Sequence, residues 1–282
     1  MTKLIAFFYV AQLNYYRMTN VESIIIAIVE GITEFLPISS TAHMRITESL
    51  LGLDMSDKFT KAFTVAIQLG AILSVVVLYW RKFFDFSRLN FYLKLLIAVI
   101  PSLIFGFMFS KKIDDILETP LVIAIIMLAG GIVLLFVDNW FKNPTIHEDK
   151  EISMLKSFQI GLYQCLAILF PGLSRSAATI IGGMSLKLTR SAAAEFSFFL
   201  AVPTMLAATT YKLFKFTKDN GAFSSEQITL LTIGNIVAFV VALATIRFFI
   251  DFLKKHGFRI WGVYRIIVGI LLFICIWQGI IK

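Results

Sequence analysis

Long apolar runs separated by short polar loops dominate this chain. A transmembrane helix needs about 20 consecutive apolar residues. Six runs reach or approach that length, namely residues 62–80, 91–110, 121–137, 189–211, 227–250 and 260–281. The pattern predicts an all-α polytopic membrane protein with six transmembrane helices.

Two further stretches are apolar but interrupted. Residues 21–52 and 157–187 each consist of two short apolar halves, separated by Pro37 in the first stretch and by Pro171 in the second. Proline blocks helical hydrogen bonding, and neither half is long enough to cross a bilayer. We therefore expect two re-entrant helical hairpins, whose broken ends must be packed in protein or line a cavity.

The two halves of the chain repeat the same plan. Pro37 and Pro171 are 134 positions apart, and Phe63 and Phe196 are 133 apart. A nearly constant offset is typical of a duplicated unit. Each unit has one hairpin and three spans, and three is odd, so the two units must enter the membrane from opposite sides. This inverted-topology repeat predicts that the two broken-helix loops meet near the midplane.

The repeats divide the chain into four segments. These are a leader or interfacial segment over residues 1–20, a first repeat over 21–140, a polar linker over 141–152 and a second repeat over 153–282. The apolar part of the leader is too short to span a bilayer, and it lacks a signal-peptide cleavage site. The two sets of alternate loops carry eight and seven Lys or Arg residues, so the positive-inside rule indicates no orientation.

Composition and charge narrow the class of protein. With 58% hydrophobic and 16% charged residues, the chain is not a soluble domain. Its net charge of +8 is spread over short loops, which favours contact with anionic membrane lipid and indicates no nucleic-acid partner. Cys165 and Cys275 lie in apolar runs, and we expect them to be packing residues, since their spacing fits neither a metal site nor a disulfide framework.

Ionisable and hydroxyl side chains cluster at the two proline breaks. Glu30 and Glu34 precede the first proline and, being four residues apart, project from one face of a helix. Ser39, Ser40, Thr41 and His43 follow that proline, and Ser174, Arg175, Ser176 and Thr179 follow the second. Charged groups inside a membrane are costly, so their presence indicates a functional site.

Together the two loops carry the groups that hydrolysis of a phosphoryl group requires. Arg175 can bind phosphate oxygens with both arms of its guanidinium. Ser39, Ser40 and Thr41 offer nucleophiles or hydrogen-bond donors, and His43, three residues after Ser40, titrates in the range that acid/base catalysis uses. Glu30 and Glu34 can hold a divalent cation, act as bases, or serve only to bond the amides of the broken helix.

The two loops resemble the signature segments of the undecaprenyl-diphosphate phosphatase family, the bacterial bacitracin-resistance phosphatases. The resemblance rests on residues 30–43 and 171–179 and extends through 68–70, 182–184 and 195–203. It implies an integral-membrane enzyme with six spans and two re-entrant hairpins in an inverted repeat. The implied reaction removes one phosphate from undecaprenyl diphosphate, outside the bacterial cytoplasmic membrane, and recycles the lipid carrier for cell-wall synthesis. A divalent cation, Mg²⁺ or Ca²⁺, is implied as well.

The resemblance also implies roles by position. Glu30 and Glu34 correspond to the acidic pair of the family, and Ser40, His43 and Arg175 correspond to its catalytic core. The substrate-binding hydroxyls are then Ser39, Ser174, Ser176 and Thr179, with Thr41 as a further candidate donor. The chain departs from the family at Ala42 and Ala177, where the family usually has glycine. The added methyl groups narrow the backbone conformations open to each loop.

Several alternatives stay open at this point. Ser40 is the predicted nucleophile and His43 the predicted acid/base group, while direct attack by His43 or by water stays open. The main rival function is a polyprenyl-phosphate transporter or flippase that uses the same midplane site, since the inverted repeat is also transporter architecture. A nucleophile next to a base, Ser40 with His43, favours chemistry over transport. A purely structural scaffold would leave four residues unexplained, namely Glu30, Glu34, His43 and Arg175. The sequence also leaves open a homodimer.

Overall fold

A computed structural model describes residues 18–54, 56–117 and 119–281. The predicted leader, residues 1–20, lies outside the described residues except for its last three. Those three lead into the first helix, because the Thr19 hydroxyl and the Glu22 carboxylate form a reciprocal capping box at its N-terminus. Residues 18–20 therefore belong with the first helix.

The described residues form twelve α-helices in chain order. They are α1 (Asn20–Thr33), α2 (Ser40–Leu50), α3 (Lys58–Ala66), α4 (Gln68–Leu78), α5 (Trp80–Phe83), α6 (Leu89–Leu117), α7 (Pro120–Trp140), α8 (Met154–Leu169), α9 (Arg175–Ser185), α10 (Arg190–Asn220), α11 (Ser225–His256) and α12 (Arg259–Trp277). A 3₁₀ turn at Asp149–Glu151 precedes α8. No β-strand occurs in this part of the chain, so the all-α prediction is confirmed.

Six helical stretches are long and apolar enough to cross a membrane, as the hydropathy pattern predicts. They are Lys58–Leu78 (α3 and α4 together), Leu89–Phe109 within α6, and the helices α7, α10, α11 and α12. Helix α8 has only 16 residues, and α1, α2 and α9 are shorter still. The chain is therefore a multi-pass membrane protein with six candidate spans among its described residues.

The four short helices form two pairs, each broken where the sequence places a proline. Pro37 lies between α1 and α2, and Pro171 lies between α8 and α9. Helix α1 packs against α11 and α8 packs against α6, so the first helix of each pair contacts the second span of the other half. The third spans, α7 and α12, pack against each other. An inverted repeat would produce this reciprocal packing; the inverted topology and the re-entrant depth stay predictions.

Glycines allow the closest of these helix contacts. A Cβ at Gly161 of α8 would lie 2.1 Å from the Ala98 carbonyl oxygen of α6, and a Cβ at Gly70 of α4 would lie equally close to the Asn235 carbonyl oxygen of α11. Any larger residue would force the paired backbones apart. These contacts hold the helices that surround the two broken loops.

An aromatic cluster supports the first loop. Phe35 is fully buried and packs edge-on against Phe198 of α10, with ring centroids 5.2 Å apart. Its neighbour Phe199 contacts Tyr79 and Phe91 in the same way. Edge-to-face ring pairs have preferred geometries, so apolar packing orients the backbone directly beside Glu34.

Candidate active site

The two proline loops meet through hydroxyl groups of the second loop. The Ser176 hydroxyl donates to the Leu36 carbonyl oxygen at 2.7 Å, and the Ser174 hydroxyl reaches the same oxygen at 3.4 Å. The two hydroxyl oxygens are 2.9 Å apart. Ser176 is fully buried, so this bond is shielded from water. Ser174 and Ser176, predicted as substrate ligands, join one loop to the other in this structure.

Each loop ends in a serine with an unusual backbone conformation. Ser39 has a φ of 71° and Ser174 a φ of 76°, a region that residues other than glycine rarely adopt. Both side chains cap the following helix, since they accept hydrogen bonds from the amides of Ala42 and Ala177 at 3.3 Å. The strained positions are therefore the serines. The two alanines lie in ordinary helical backbone, where an added methyl group is tolerated.

Glu34 links the predicted nucleophile to the predicted phosphate ligand. The Ser40 hydroxyl donates to Glu34 Oε2 at 2.6 Å, and Arg175 Nη2 donates to Glu34 Oε1 at 3.3 Å. The other arm of the guanidinium, Nη1, donates to the Ser197 carbonyl oxygen at 3.0 Å. Arg175 Nε is buried and has no hydrogen-bond partner among the described residues. Three residues that the sequence singled out thus form one connected group.

Glu30 lies one helical turn before Glu34 and is fully buried. Neither of its carboxylate oxygens has a hydrogen-bond partner in the described part of the chain. An unpartnered buried carboxylate is costly, and such a group calls for a proton, an ion or a ligand. No group of three or more His, Cys, Asp or Glu residues in the described ranges could hold a metal by itself. A cation here would need ligands from substrate or water in addition to the acidic pair.

His43 turns away from Ser40 and towards the last helix. Its Nδ1 lies 2.8 Å from the Ser39 carbonyl oxygen, and its Nε2 lies 2.8 Å from the Tyr264 hydroxyl. The two rings are stacked, with an interplanar angle of 6°. A carbonyl can only accept, so Nδ1 carries a hydrogen, and in the neutral ring Nε2 accepts from the tyrosine. Spacing favoured a Ser40–His43 pair, whereas the structure pairs Ser40 with Glu34.

The remaining predicted hydroxyls occupy different surroundings. Thr179 is fully buried, and its hydroxyl contacts the Arg175 carbonyl oxygen at 2.9 Å and the Ser197 hydroxyl at 2.6 Å. It therefore supports the helical turn that carries Arg175. Thr41 is half-buried and lines an open cavity beside the first loop.

The sequence as a whole matches a known family. The model of the family described as "Bacitracin resistance protein BacA" covers residues 23–271, which include both loops and most of the last helix. This chain belongs to the BacA family.

Relatives in the BacA family cover nearly the whole chain. An undecaprenyl-diphosphatase of Flavobacterium psychrophilum is 57% identical over 255 residues, which is 90% of this chain and 95% of the relative. One of Porphyromonas gingivalis is 51% identical over 280 residues, 93% of this chain and 99% of the relative. One of Aquifex aeolicus is 43% identical over 256 residues, 90% of this chain and 97% of the relative.

In this BacA-family chain, the last helix supplies a residue that the sequence analysis missed. Arg265 is fully buried, and its guanidinium donates to the carbonyl oxygens of Pro37 at 3.2 Å, Gly172 at 2.8 Å and Leu173 at 2.8 Å. One side chain therefore binds both broken loops. The available signal was a single arginine inside an apolar span, more than one helical turn from its start, a pattern that usually indicates function or buried pairing.

Tyr264, the neighbour of Arg265, is the second residue that the sequence analysis missed. Its hydroxyl bonds to His43, as described above, and nothing in the sequence distinguishes it from other tyrosines of the chain. The last helix of this BacA-family protein thus contacts His43 through one residue and both loop backbones through the next.

Proposed function

We propose that this protein hydrolyses undecaprenyl diphosphate to undecaprenyl phosphate and inorganic phosphate. The observation that carries the proposal is the Glu34 carboxylate, hydrogen-bonded on one side to Ser40 and on the other to Arg175. These hydrogen bonds hold together a base (Glu34), a hydroxyl nucleophile (Ser40) and a guanidinium that can bind phosphate (Arg175). In a bacterium, the reaction would recycle the lipid carrier of cell-wall synthesis and confer resistance to bacitracin.

The proposed first step is attack by the Ser40 oxygen on the terminal phosphorus. Glu34 Oε2 is the nearest base and takes the hydroxyl proton as the new P–O bond forms. The bond from that phosphorus to the bridging oxygen breaks, and undecaprenyl phosphate leaves. Arg175 stabilises the charge that develops on the non-bridging oxygens. Water then attacks the phosphoserine and releases inorganic phosphate.

His43 is proposed to act as the general acid that protonates the leaving oxygen, or as the general base that takes a proton from the attacking water. Its Nδ1 bond to the Ser39 carbonyl orients the ring, and its Nε2 exchanges a proton through the Tyr264 hydroxyl. The alternatives are direct attack by His43 and direct attack by water. Rapid quenching of the reaction, followed by a test of whether the labelled protein is stable to acid, separates them.

For substrate binding, the structure suggests a division among the hydroxyl residues. We propose that Thr41 and the amides at the start of α2 and α9 contact the diphosphate. The proposed contribution of Ser39, Ser174, Ser176 and Thr179 is to hold these amides in place, since each bonds to the protein itself.

The acidic pair fits a divalent cation, Mg²⁺ or Ca²⁺. Carboxylate oxygens are the ligands that both ions prefer, and the two Glu30 oxygens are buried without hydrogen-bond partners among the described residues. Glu30 and Glu34 would hold the ion, which when bound neutralises diphosphate charge. Removal of divalent ions with chelator should then abolish phosphate release, and added Mg²⁺ or Ca²⁺ should restore it. Full activity in chelator would restrict the two glutamates to base and structural roles.

The proposed location is the bacterial cytoplasmic membrane, with the active site facing outward and the chain in contact with membrane lipid. A homodimer stays a prediction from the sequence. A transporter or flippase could use the same loops, but transport alone would not require a serine hydrogen-bonded to a buried carboxylate.

The decisive test is phosphate release from undecaprenyl diphosphate by the purified protein in detergent. We expect turnover by the wild type, and a loss of roughly a thousandfold or more in Ser40→Ala. Ser49→Ala, at the other end of the same helix, is the matched control and should keep wild-type activity. A purified, folded wild type that releases no phosphate would overturn the proposal.

A further inference from the structure

A cavity of about 470 Å³ lies beside the first loop, and five of the sixteen described residues that line it are basic. We call it the basic cavity. Its cationic side chains come from three helices, and the hydroxyl of the first loop lies with them: Arg45, Lys58, Lys61, Lys212, Lys215 and Thr41. Only Thr41 belongs to the two signature loops, so the cavity extends beyond the site described above.

Positive charge exceeds negative charge in the basic cavity. Five cationic side chains face two acidic ones, Glu48 and Asp219. Glu48 is almost completely buried and lies 3.7 Å from Arg45, so one of the two acids is already paired with a cation of the cavity wall. The lining as a whole is net positive, which would attract a multiply charged anion, and a concave site with apolar walls strengthens that attraction.

The basic cavity reaches Thr41, the residue that follows the proposed nucleophile in the chain. Thr41 lines it and is the neighbour of Ser40 in the first turn of α2, whereas Glu48 lines it near the other end of that helix. Seven residues of helix correspond to about 10 Å, so the cavity follows α2 over most of its length.

Helix α10 is held against α3 by a hydrogen bond from the Thr209 hydroxyl to the Val65 carbonyl oxygen at 3.1 Å. That contact brings lysines from both helices to the same cavity.

We propose that the basic cavity binds a phosphate group, either the inorganic phosphate that leaves the loops or the head group of the lipid that reaches them. Compact ammonium groups and a threonine hydroxyl are suitable donors for phosphate oxygens. The inference rests on the proposed function and extends it, since it assigns the reaction's phosphate a binding place whose lining includes Thr41, the neighbour of Ser40. We expect Lys58 of α3 and Lys215 of α10 to contribute, because the packing of the two helices brings both lysines to the same cavity.

The test is equilibrium dialysis of radiolabelled inorganic phosphate against the purified full-length protein in detergent. We expect saturable binding that weakens as salt rises. It should be about tenfold weaker in the double variant Lys58→Gln/Lys215→Gln. The matched control is Lys142→Gln/Lys254→Gln, whose lysines line a separate cavity of about 390 Å³ away from both loops. The control should bind like the wild type.

A second arm identifies the source of the phosphate group. If unlabelled undecaprenyl diphosphate displaces the labelled phosphate in the Ser40→Ala background, the cavity takes the lipid head group; if both bind together, it takes the released phosphate. Wild-type phosphate binding by the Lys58/Lys215 double variant, or an equal loss in the control, would overturn the inference. Dialysis requires no turnover, so an inactive protein that still binds phosphate through these lysines would refute only the proposed function.

Discussion

At the residue scale, the site depends on Glu34, because its two carboxylate oxygens have different partners. One accepts the Ser40 hydroxyl and the other accepts the Arg175 guanidinium. Ser40 and Arg175 therefore share one carboxylate, so a change in either residue alters the electrostatic environment of the other. Two predictions follow from this arrangement of three side chains.

Arg175→Lys should reduce turnover by roughly a hundredfold while leaving the fold intact. The guanidinium contacts Glu34 and the Ser197 carbonyl oxygen with separate arms, and a lysine keeps the charge but loses that fork. The measurement is kcat in detergent, with thermal unfolding as the check on folding. Arg190→Lys is the matched control, because Arg190 is also ion-paired, to Asp138 at 2.6 Å, but outside the site. Near-wild-type turnover in Arg175→Lys would remove the requirement for two-armed binding.

Ser40 as nucleophile predicts a phosphoserine intermediate. Rapid quenching with radiolabelled lipid diphosphate should leave acid-stable label on the wild type, and Ser40→Ala should lose both the label and the turnover. Ser40→Cys should retain a trace of activity, since a thiol can still attack. Acid-labile label on His43 would refute the assignment, and the absence of any label would indicate direct attack by water.

At the element scale, the last helix supplies hydrogen-bond donors to the backbone at both helix breaks. Arg265 of α12 donates to carbonyl oxygens on both loops and also to Ile126 and Met127 of α7. Carbonyl groups freed by a helix break need partners, and each one left buried without a partner costs about 1–3 kcal/mol. The Arg265 side chain thus offsets the free-energy cost of the unpaired carbonyl groups at both breaks. Its guanidinium fits there because Gly130 of α7 has no side chain.

Gly130→Ala should therefore damage both stability and activity. A Cβ at Gly130 would lie 2.5 Å from Arg265 Nη2, so the guanidinium would have to leave its carbonyl partners. We expect a clear drop in the melting temperature in detergent and a loss of turnover of about tenfold or more. Gly106→Ala is the matched control, because a Cβ there would meet nothing within 4 Å. The role assigned to Arg265 would be wrong if the two variants behaved alike.

At the scale of the whole molecule, the two halves of the chain depend on each other. Each short helix pair packs its first helix against a span of the other half, and the third spans pack together. The loops join across the same boundary, since Ser176 binds the Leu36 carbonyl oxygen. Neither half could therefore form the site alone.

The inverted topology itself can be tested by labelling. Single cysteines placed in residues 53–57, before the first span, and in 188–190, in a background without Cys165 and Cys275, should react with a membrane-impermeant reagent from opposite faces of the membrane. Three spans lie between these segments, after allowance for a second hairpin that does not cross. Reaction from the same face would mean that one helix pair crosses the bilayer, and the inverted repeat would then be wrong.

Local properties of the sequence were sufficient to predict the six spans and the two broken stretches, and to single out the residues to which we assign the proposed chemistry. Hydropathy depends on runs of neighbouring residues, and a proline breaks a helix wherever it occurs. Glu30, Glu34 and Arg175 were recognisable because charge is rare in such runs. The positive backbone φ angles of Ser39 and Ser174 could not be predicted, because nothing in the sequence marks a serine that adopts this conformation.

Only the tertiary structure decided which of these groups become partners. Spacing along α2 favoured Ser40 with His43, but chain folding brought Glu34 and Arg175 to the serine and Tyr264 to the histidine. Arg265 acquired its role because α12 packs beside both loops, more than ninety positions away in sequence from the nearer one. Hydrogen bonds depend on distances of a few ångströms between remote segments, and those distances are set by helix packing, which no local pattern encodes.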